Sequence, residues 1–192
     1  MSITITRKEA CELIRSCIGK DVPEGENFDK IVYAVNNDMS VRDFLLGLPK
    51  YYDMQEVINF LCHMSNEAPV GEDIPFITVN AALAYEANEA QVFYTHIGYV
   101  MCHGRDYSLA QVLARCAANN FPGTMLTKMR DELHAAVMKV CYTEEPEYLI
   151  KKLENNNGKH IPTSSNLPTS SEDSGHETSG ETESRSTTDT QS

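Results

Sequence analysis

From Ala10 to Val140 the apolar residues of this chain recur three and four positions apart, and alternation with polar residues goes no further than the pair Ile3 and Ile5. A period near 3.6 collects side chains on one face of a helix, whereas a half-buried strand needs a period of two. The spacing predicts an all-α domain, and its interruptions divide it into a bundle of about eight helices. Near Asn155 the pattern stops. Beyond it come Asn-Asn-Asn-Gly, isolated prolines, and Ser, Thr and Glu with hardly an apolar residue. Such a segment cannot bury enough surface to offset about 1 to 2 kcal/mol of backbone ordering per residue. The expectation is therefore an all-α domain over residues 1–154 and a disordered, acidic, Ser/Thr-rich tail over residues 155–192.

Local signals set the expected helix ends. Thr6-Arg-Lys-Glu9 has the form of a capping box, in which the Thr hydroxyl and the Glu carboxylate each accept from an otherwise unpaired amide. It opens a helix with Ala10, Leu13, Ile14 and Cys17 inward. Phe28, Ile31, Val32 and Val35 mark a second helix, stopped by Asn36-Asn37. Ser40 is expected to cap a third, with Val41, Phe44, Leu45 and Leu48 inward and Pro49 ending it. Asp53-Met-Gln-Glu56 repeats the capping-box form ahead of Met54, Val57, Ile58, Leu61 and Met64. Residues 68–75, with Pro69, Gly71 and Pro75, form the longest internal connection and read as a hinge. It separates front helices over 6–66 from back helices over 76–142.

In the back set, Val79, Ala82 and Leu83 share one face, Asn88-Glu89 makes a tight turn, and Ala90, Phe93, Ile97 and Val100 begin another face. Gly104 suits a left-handed C-cap, and Ser108 starts a helix with Leu109, Val112, Leu113 and Cys116 inward. Leu126, Met129, Leu133, Val137 and Val140 give the longest amphipathic run. A short helix is expected over 147–154, after Pro146.

Charge narrows the function classes. The net charge is −12, with 28 acidic and 16 basic side chains; six acids and two bases lie beyond residue 154, so −8 stays on the helical part. A phosphate backbone is repelled by such a surface, which argues against direct nucleic-acid binding. The N-terminus lacks an apolar stretch behind a basic start, and no run approaches the roughly 18 apolar residues of a membrane span. These features predict a cytoplasmic protein with no membrane segment. Cys11, Cys17, Cys62, Cys102, Cys116 and Cys141 then read as reduced, small core residues.

Residues 82–113 read Ala-Leu-Ala-Tyr-Glu-Ala-Asn-Glu-Ala-Gln-Val-Phe-Tyr-Thr-His-Ile-Gly-Tyr-Val-Met-Cys-His-Gly-Arg-Asp-Tyr-Ser-Leu-Ala-Gln-Val-Leu. This stretch resembles one tetratricopeptide-type helical pair, without a second copy at the period of about 34 residues. The likeness implies Leu83 and Tyr85 on the first helix, Ala90 as the small residue admitting the second, and Asp106-Tyr107 as the turn into the next. Val41-Arg-Asp-Phe-Leu-Leu-Gly47 and Asp106-Tyr-Ser-Leu-Ala-Gln-Val-Leu113 also resemble a family of uncharacterised domains of unknown function common in actinobacteria and their phages, most closely a small phage-encoded version. That resemblance covers residues 28–137. It implies origin and helical fold but no activity and no catalytic residues.

The pairs that attract a chemical reading have structural ones. Cys62-His63 and Cys102-His103 lack the ligand gaps of a zinc finger, and adjacent helical side chains diverge by about 100°. Arg42-Asp43 and Arg105-Asp106 read as structural ion pairs, with Asp106 satisfying first-turn amides. His134 and Cys141 stand two turns apart, about 10 Å along the axis, too far for a nucleophile and its base. No phosphate-binding loop, nucleophile elbow or metalloprotease motif occurs. No catalytic, cofactor or metal residues are assigned. Tyr85, Tyr94 and Tyr99 are the candidate protein-binding residues, able to anchor a peptide along the helical pair. The resulting expectation is a non-enzymatic protein-protein interaction module, with an acidic nucleic-acid-mimicking decoy as the alternative.

Overall fold

Residues 3–20, 22–104 and 106–143 are described by the computed structural model of the chain. They form α1 (Arg7–Cys17), α2 (Gly25–Asn37), α3 (Met39–Gly47), α4 (Met54–Glu67), α5 (Ile74–Glu86), α6 (Ala90–His103), α7 (Ser108–Ala118) and α8 (Gly123–Thr143), with a 3-10 turn (Leu48–Lys50) after α3 and no strand element. The class is all-α, and each helix answers to one expected from the apolar spacing. The helix expected over 147–154 and the tail from 155 lie outside the described residues.

The first capping box is present: the Thr6 hydroxyl accepts from the Glu9 amide at 3.1 Å, and the Glu9 carboxylate accepts from the Thr6 amide at 2.8 Å. At α4 only half of the expected box forms. Asp53 accepts from the Gln55 amide at 2.9 Å, while the Glu56 carboxylate lies over Gly19, where an added Cβ would stand 2.7 Å from its Oε1. The expected Ser40 cap is corrected to Asp38, whose carboxylate accepts from the Ser40 amide at 2.7 Å. Because α2 ends at Asn37, one residue serves as both stop and cap, and Met39 is already helical. Asp38 is 2% exposed and also pairs with Arg7 at the start of α1. Gly104 is not a left-handed cap, since its φ is −133°. Its missing side chain instead admits Ile74, whose Cγ2 would lie 3.0 Å from an added Cβ.

The core is built around α5, in which ten of thirteen residues are buried. A helix apolar on all sides belongs at the centre of a bundle. Its two polar interruptions are internally satisfied: the Thr78 hydroxyl donates to the Ile74 carbonyl at 2.8 Å, and the Asn80 amide donates to Cys62 Sγ at 3.4 Å. Pro75 falls in the first turn, where no amide is needed. Around α5 pack α4, α6, α3 and α8, and α8 also lies against α3 and α1.

The connection read as a hinge is fastened at both sides. Asp73, 4% exposed, accepts from the Gly71 amide at 2.8 Å and from the Tyr99 hydroxyl at 2.6 Å. Asn36 of α2 donates to the Glu72 carbonyl at 2.9 Å. A single buried cluster runs from Ile5 to Cys141. The expected inner face of α8 is also corrected. His134, Val137 and Cys141 enter the core, whereas Met129 and Leu133 are 51% and 45% exposed.

Candidate protein-binding groove

The helical pair α5 and α6 is closed by two residues, and the way α5 ends shapes the surface beside it. Asn88 adopts φ 61°, the Glu89 amide donates to the Ala84 carbonyl at 2.8 Å, and the Asn88 amide donates to Tyr85 at 3.2 Å. This is the six-to-one and five-to-two pattern of a Schellman ending, with asparagine where glycine is commonest. The end of α7 repeats it. Asn120 has φ 53°, the Phe121 amide donates to the Cys116 carbonyl at 3.0 Å, and the Asn120 amide donates to Ala117 at 3.0 Å. These are the two non-glycine residues with positive φ among the described residues. Both line one open cavity.

That cavity holds about 260 Å³ between Tyr85, Asn88, Phe93 and Tyr94 on one side and Asn120 and Phe121 on the other. Phe93 is buried at the floor, its ring centre 4.8 Å from that of Tyr85 and 5.0 Å from that of Tyr94, the latter at 67°. Edge-on contacts of this kind hold aromatic rings in defined orientations. Tyr94 is 61% exposed and Phe121 44%, so a pair of rings faces solvent across the opening. The Tyr85 hydroxyl donates to the Phe121 carbonyl, tying α5 to the connection before α8.

The far wall is fixed by close approach and a buried ion pair. An added Cβ at Gly123 would stand 2.6 Å from the Tyr85 carbonyl oxygen, so only glycine lets α8 begin there. One turn on, Thr127 donates to the Glu86 carboxylate at 3.1 Å and Arg130 Nη1 to the same oxygen at 2.7 Å. Burial pushes the Glu86 carboxyl up, and the Arg130 guanidinium works against that shift. Breaking one partner of such a pair leaves the other charge buried, which is the costly outcome.

Of the three tyrosines singled out by sequence, Tyr85 and Tyr94 line the cavity and Tyr99 does not. Tyr99 stacks on His103, with ring centres 4.2 Å apart, and donates to Asp73, a bond that pushes its phenol up. Ala90 starts α6 at the exposed rim; the buried small residues of the pair are Ala81, Ala82 and Ala84 on α5. Phe121 and Asn120 were not singled out. Their one local signal is Asn119-Asn120 after a helical run, a stop of the same kind as Asn36-Asn37, and nothing in it shows that they reach Tyr94.

The other candidate pairs are occupied structurally. Arg42 donates to Asp43 Oδ1 at 2.8 Å from Nε and 2.5 Å from Nη2, and lies 5.6 Å from the centre of the Tyr107 ring. The N-cap of α7 is Tyr107 and makes no side-chain cap bond, which corrects the capping role expected of Asp106; Arg105 lies outside the described residues. His63 packs edge-on against Phe28. Cys141 donates to the Ser40 carbonyl at 3.8 Å, while His134 packs on Phe44 and Tyr51. Among the described residues no three of His, Cys, Asp and Glu are grouped as a metal site, and no helix is long and apolar enough to cross a membrane. A scan against protein-family models finds no match, and searches of the curated proteins and of the solved structures return no similar chain.

Proposed function

We propose that this chain is a non-enzymatic helical interaction module that takes an extended peptide of another protein into the groove beside Tyr85 and Tyr94. The observation that carries the reading is the exposure of Tyr94 and Phe121 across a cavity floored by Phe93. Solvated aromatic rings at the rim of a preformed hollow are the usual anchors of a binding surface. About 260 Å³ is small for a metabolite or cofactor and suits one or two inserted side chains. Asn88 and Asn120 add two carboxamides, each able to donate to and accept from a peptide backbone. With −8 on residues 1–154, the favoured peptide carries basic residues around an apolar anchor. The likeness to a phage-encoded domain family belongs to the same proposal and gives the partner a setting, the host cytoplasm.

Affinity purification with full-length protein, read by mass spectrometry beside a Tyr94→Ala variant, tests the reading. Because Tyr94 is largely exposed, the variant should fold normally and lose the partner by about tenfold or more in affinity. A partner retained equally by wild type and by the Tyr85→Ala and Tyr94→Ala variants would reject the groove.

The same acidic balance favours a second reading, a decoy that occupies the nucleic-acid site of a host protein. Salt separates the two. A decoy should release its partner steeply between about 0.1 and 0.5 M salt, whereas a complex anchored by aromatic burial should persist.

A further inference from the structure

The outer surface of α8 carries an apolar seam whose Leu126 end packs against the core and whose middle the fold leaves exposed. Leu126, Met129, Leu133, Ala136 and Val140 follow one another at spacings of three, four, three and four, the repeat of a coiled-coil seam. They form a stripe beside the core face made by His134, Val137 and Cys141. Met129 and Leu133 at its middle are 51% and 45% exposed, Ala136 is exposed, and the seam's two ends are half-buried.

Charge along the outer edge of this seam identifies what fits it. Glu132 and Lys139 are exposed, lie seven residues apart and carry opposite signs. Seven residues are two turns, so both stand on the same edge. We propose that α8 pairs antiparallel with α8 of a second copy of this chain, about a two-fold axis passing between Leu133 and Ala136. In that register Leu133 meets Ala136 of the second copy, a large residue against a small one. Met129 meets Val140 of the second copy, and Glu132 faces its Lys139, once on each side of the axis. A two-fold interface must be self-complementary, and opposite charges at equivalent seam positions provide that. A parallel pair lacks this match. It would set the Glu132 edge of one helix against the edge bearing Arg130 and Val137 on the other, where Val137 is buried in its own core and Arg130 is bound to Glu86.

A seam of five residues per copy lies at the small end of stable interfaces, so dissociation is expected on the order of 10 µM. Sedimentation of the full-length chain across about 1 to 100 µM should show a monomer passing into a dimer. Leu133→Arg should remain monomeric throughout with an unchanged unfolding midpoint, since the residue lies outside the core. Glu132→Lys and Lys139→Glu should each weaken self-association about tenfold by setting like charges together twice, while an equimolar mixture of the two variants should recover it as a heterodimer. A monomer at the highest concentration overturns the proposal, including the case in which residues beyond 143 or another protein covers the seam. A dimer untouched by Leu133→Arg overturns it, and so does a mixture that associates no better than its components.

Discussion

At the scale of single residues, several groups look costly taken alone and are understood through what surrounds them. Asp38 and Asp73 are nearly fully buried carboxylates, yet each accepts from a backbone amide and from a side chain of another helix, Arg7 in one case and Tyr99 in the other. Charged groups so bonded hold helices in register instead of opposing the fold. His134 is different. It is 3% exposed, and neither ring nitrogen has a hydrogen-bond partner among the described residues. Burial holds its proton affinity below the ordinary value of 6.5; Lys50 and Arg130 push the same way and Asp131 opposes them. In the unfolded chain the ring protonates near 6.5, and in the fold only at lower pH. Within that window the unfolded state binds the extra proton, so stability is complete above about pH 6.5 and falls as the pH is lowered. His96, half-buried and shifted down by burial, adds a slope of the same sign. Urea unfolding at about pH 7.5 and about pH 5 should therefore show a loss on acidification that His134→Leu reduces without abolishing. An unchanged loss in the variant would mean that His134 is protonated within the fold.

At the scale of elements, His134 also shows how α8 is seated. Its ring lies over Gly47, where an added Cβ would stand 1.8 Å from Nδ1, so α3 and α8 can approach only because α3 ends in glycine. Gly47→Ala should cost about 3 kcal/mol by overpacking, and much less in a His134→Ala background where the ring is gone. Denaturant unfolding of the two single variants and the double variant measures the coupling, and strictly additive losses would show that the ring and the glycine do not oppose each other. Nothing in the sequence ties residue 47 to residue 134. Local signals were legible: the Thr6 and Glu9 box, the stop at Asn36-Asn37 and the turn at Asn88 each depend on groups within a few residues. The face of α8 was not, because spacings of three and four fit two neighbouring stripes equally well. Only α3 and α5 decide which stripe turns inward. The all-round burial of α5 was hidden by Thr78 and Asn80, whose polarity is absorbed by bonds to Ile74 and Cys62. The groove was half legible for the same reason. Tyr85 and Tyr94 belong to one recognisable pair of helices, whereas Asn120 and Phe121 join them from the end of the next helix.

At the scale of the whole molecule, α8 decides where the chain can be cut. Its Val137 and Cys141 belong to the same buried cluster as Ile5, Ala10 and Cys11, so the last described helix completes a core begun by the first. Cys11, among the most deeply buried of these, has its thiol pushed up by the neighbouring Cys141 and by burial. A thiol in that setting is a packing group and not a nucleophile. Residues 155–192 hold only Ile161 and Leu167 as apolar side chains, too few to add to a core. The −4 carried by residues 155–192 repels a body that already carries −8. Deleting residues 155–192 should therefore move the thermal midpoint by no more than about 2 °C. Ending the chain before α8 should abolish cooperative unfolding, because His134, Val137 and Cys141 leave together and expose the faces of α1, α3 and α5 that they cover. Calorimetry of the shorter chain against full length, with salt raised to screen the repulsion, distinguishes the contributions of packing and charge. A marked loss of stability on removing 155–192 would show that the segment contributes to the fold and is not a dispensable tail.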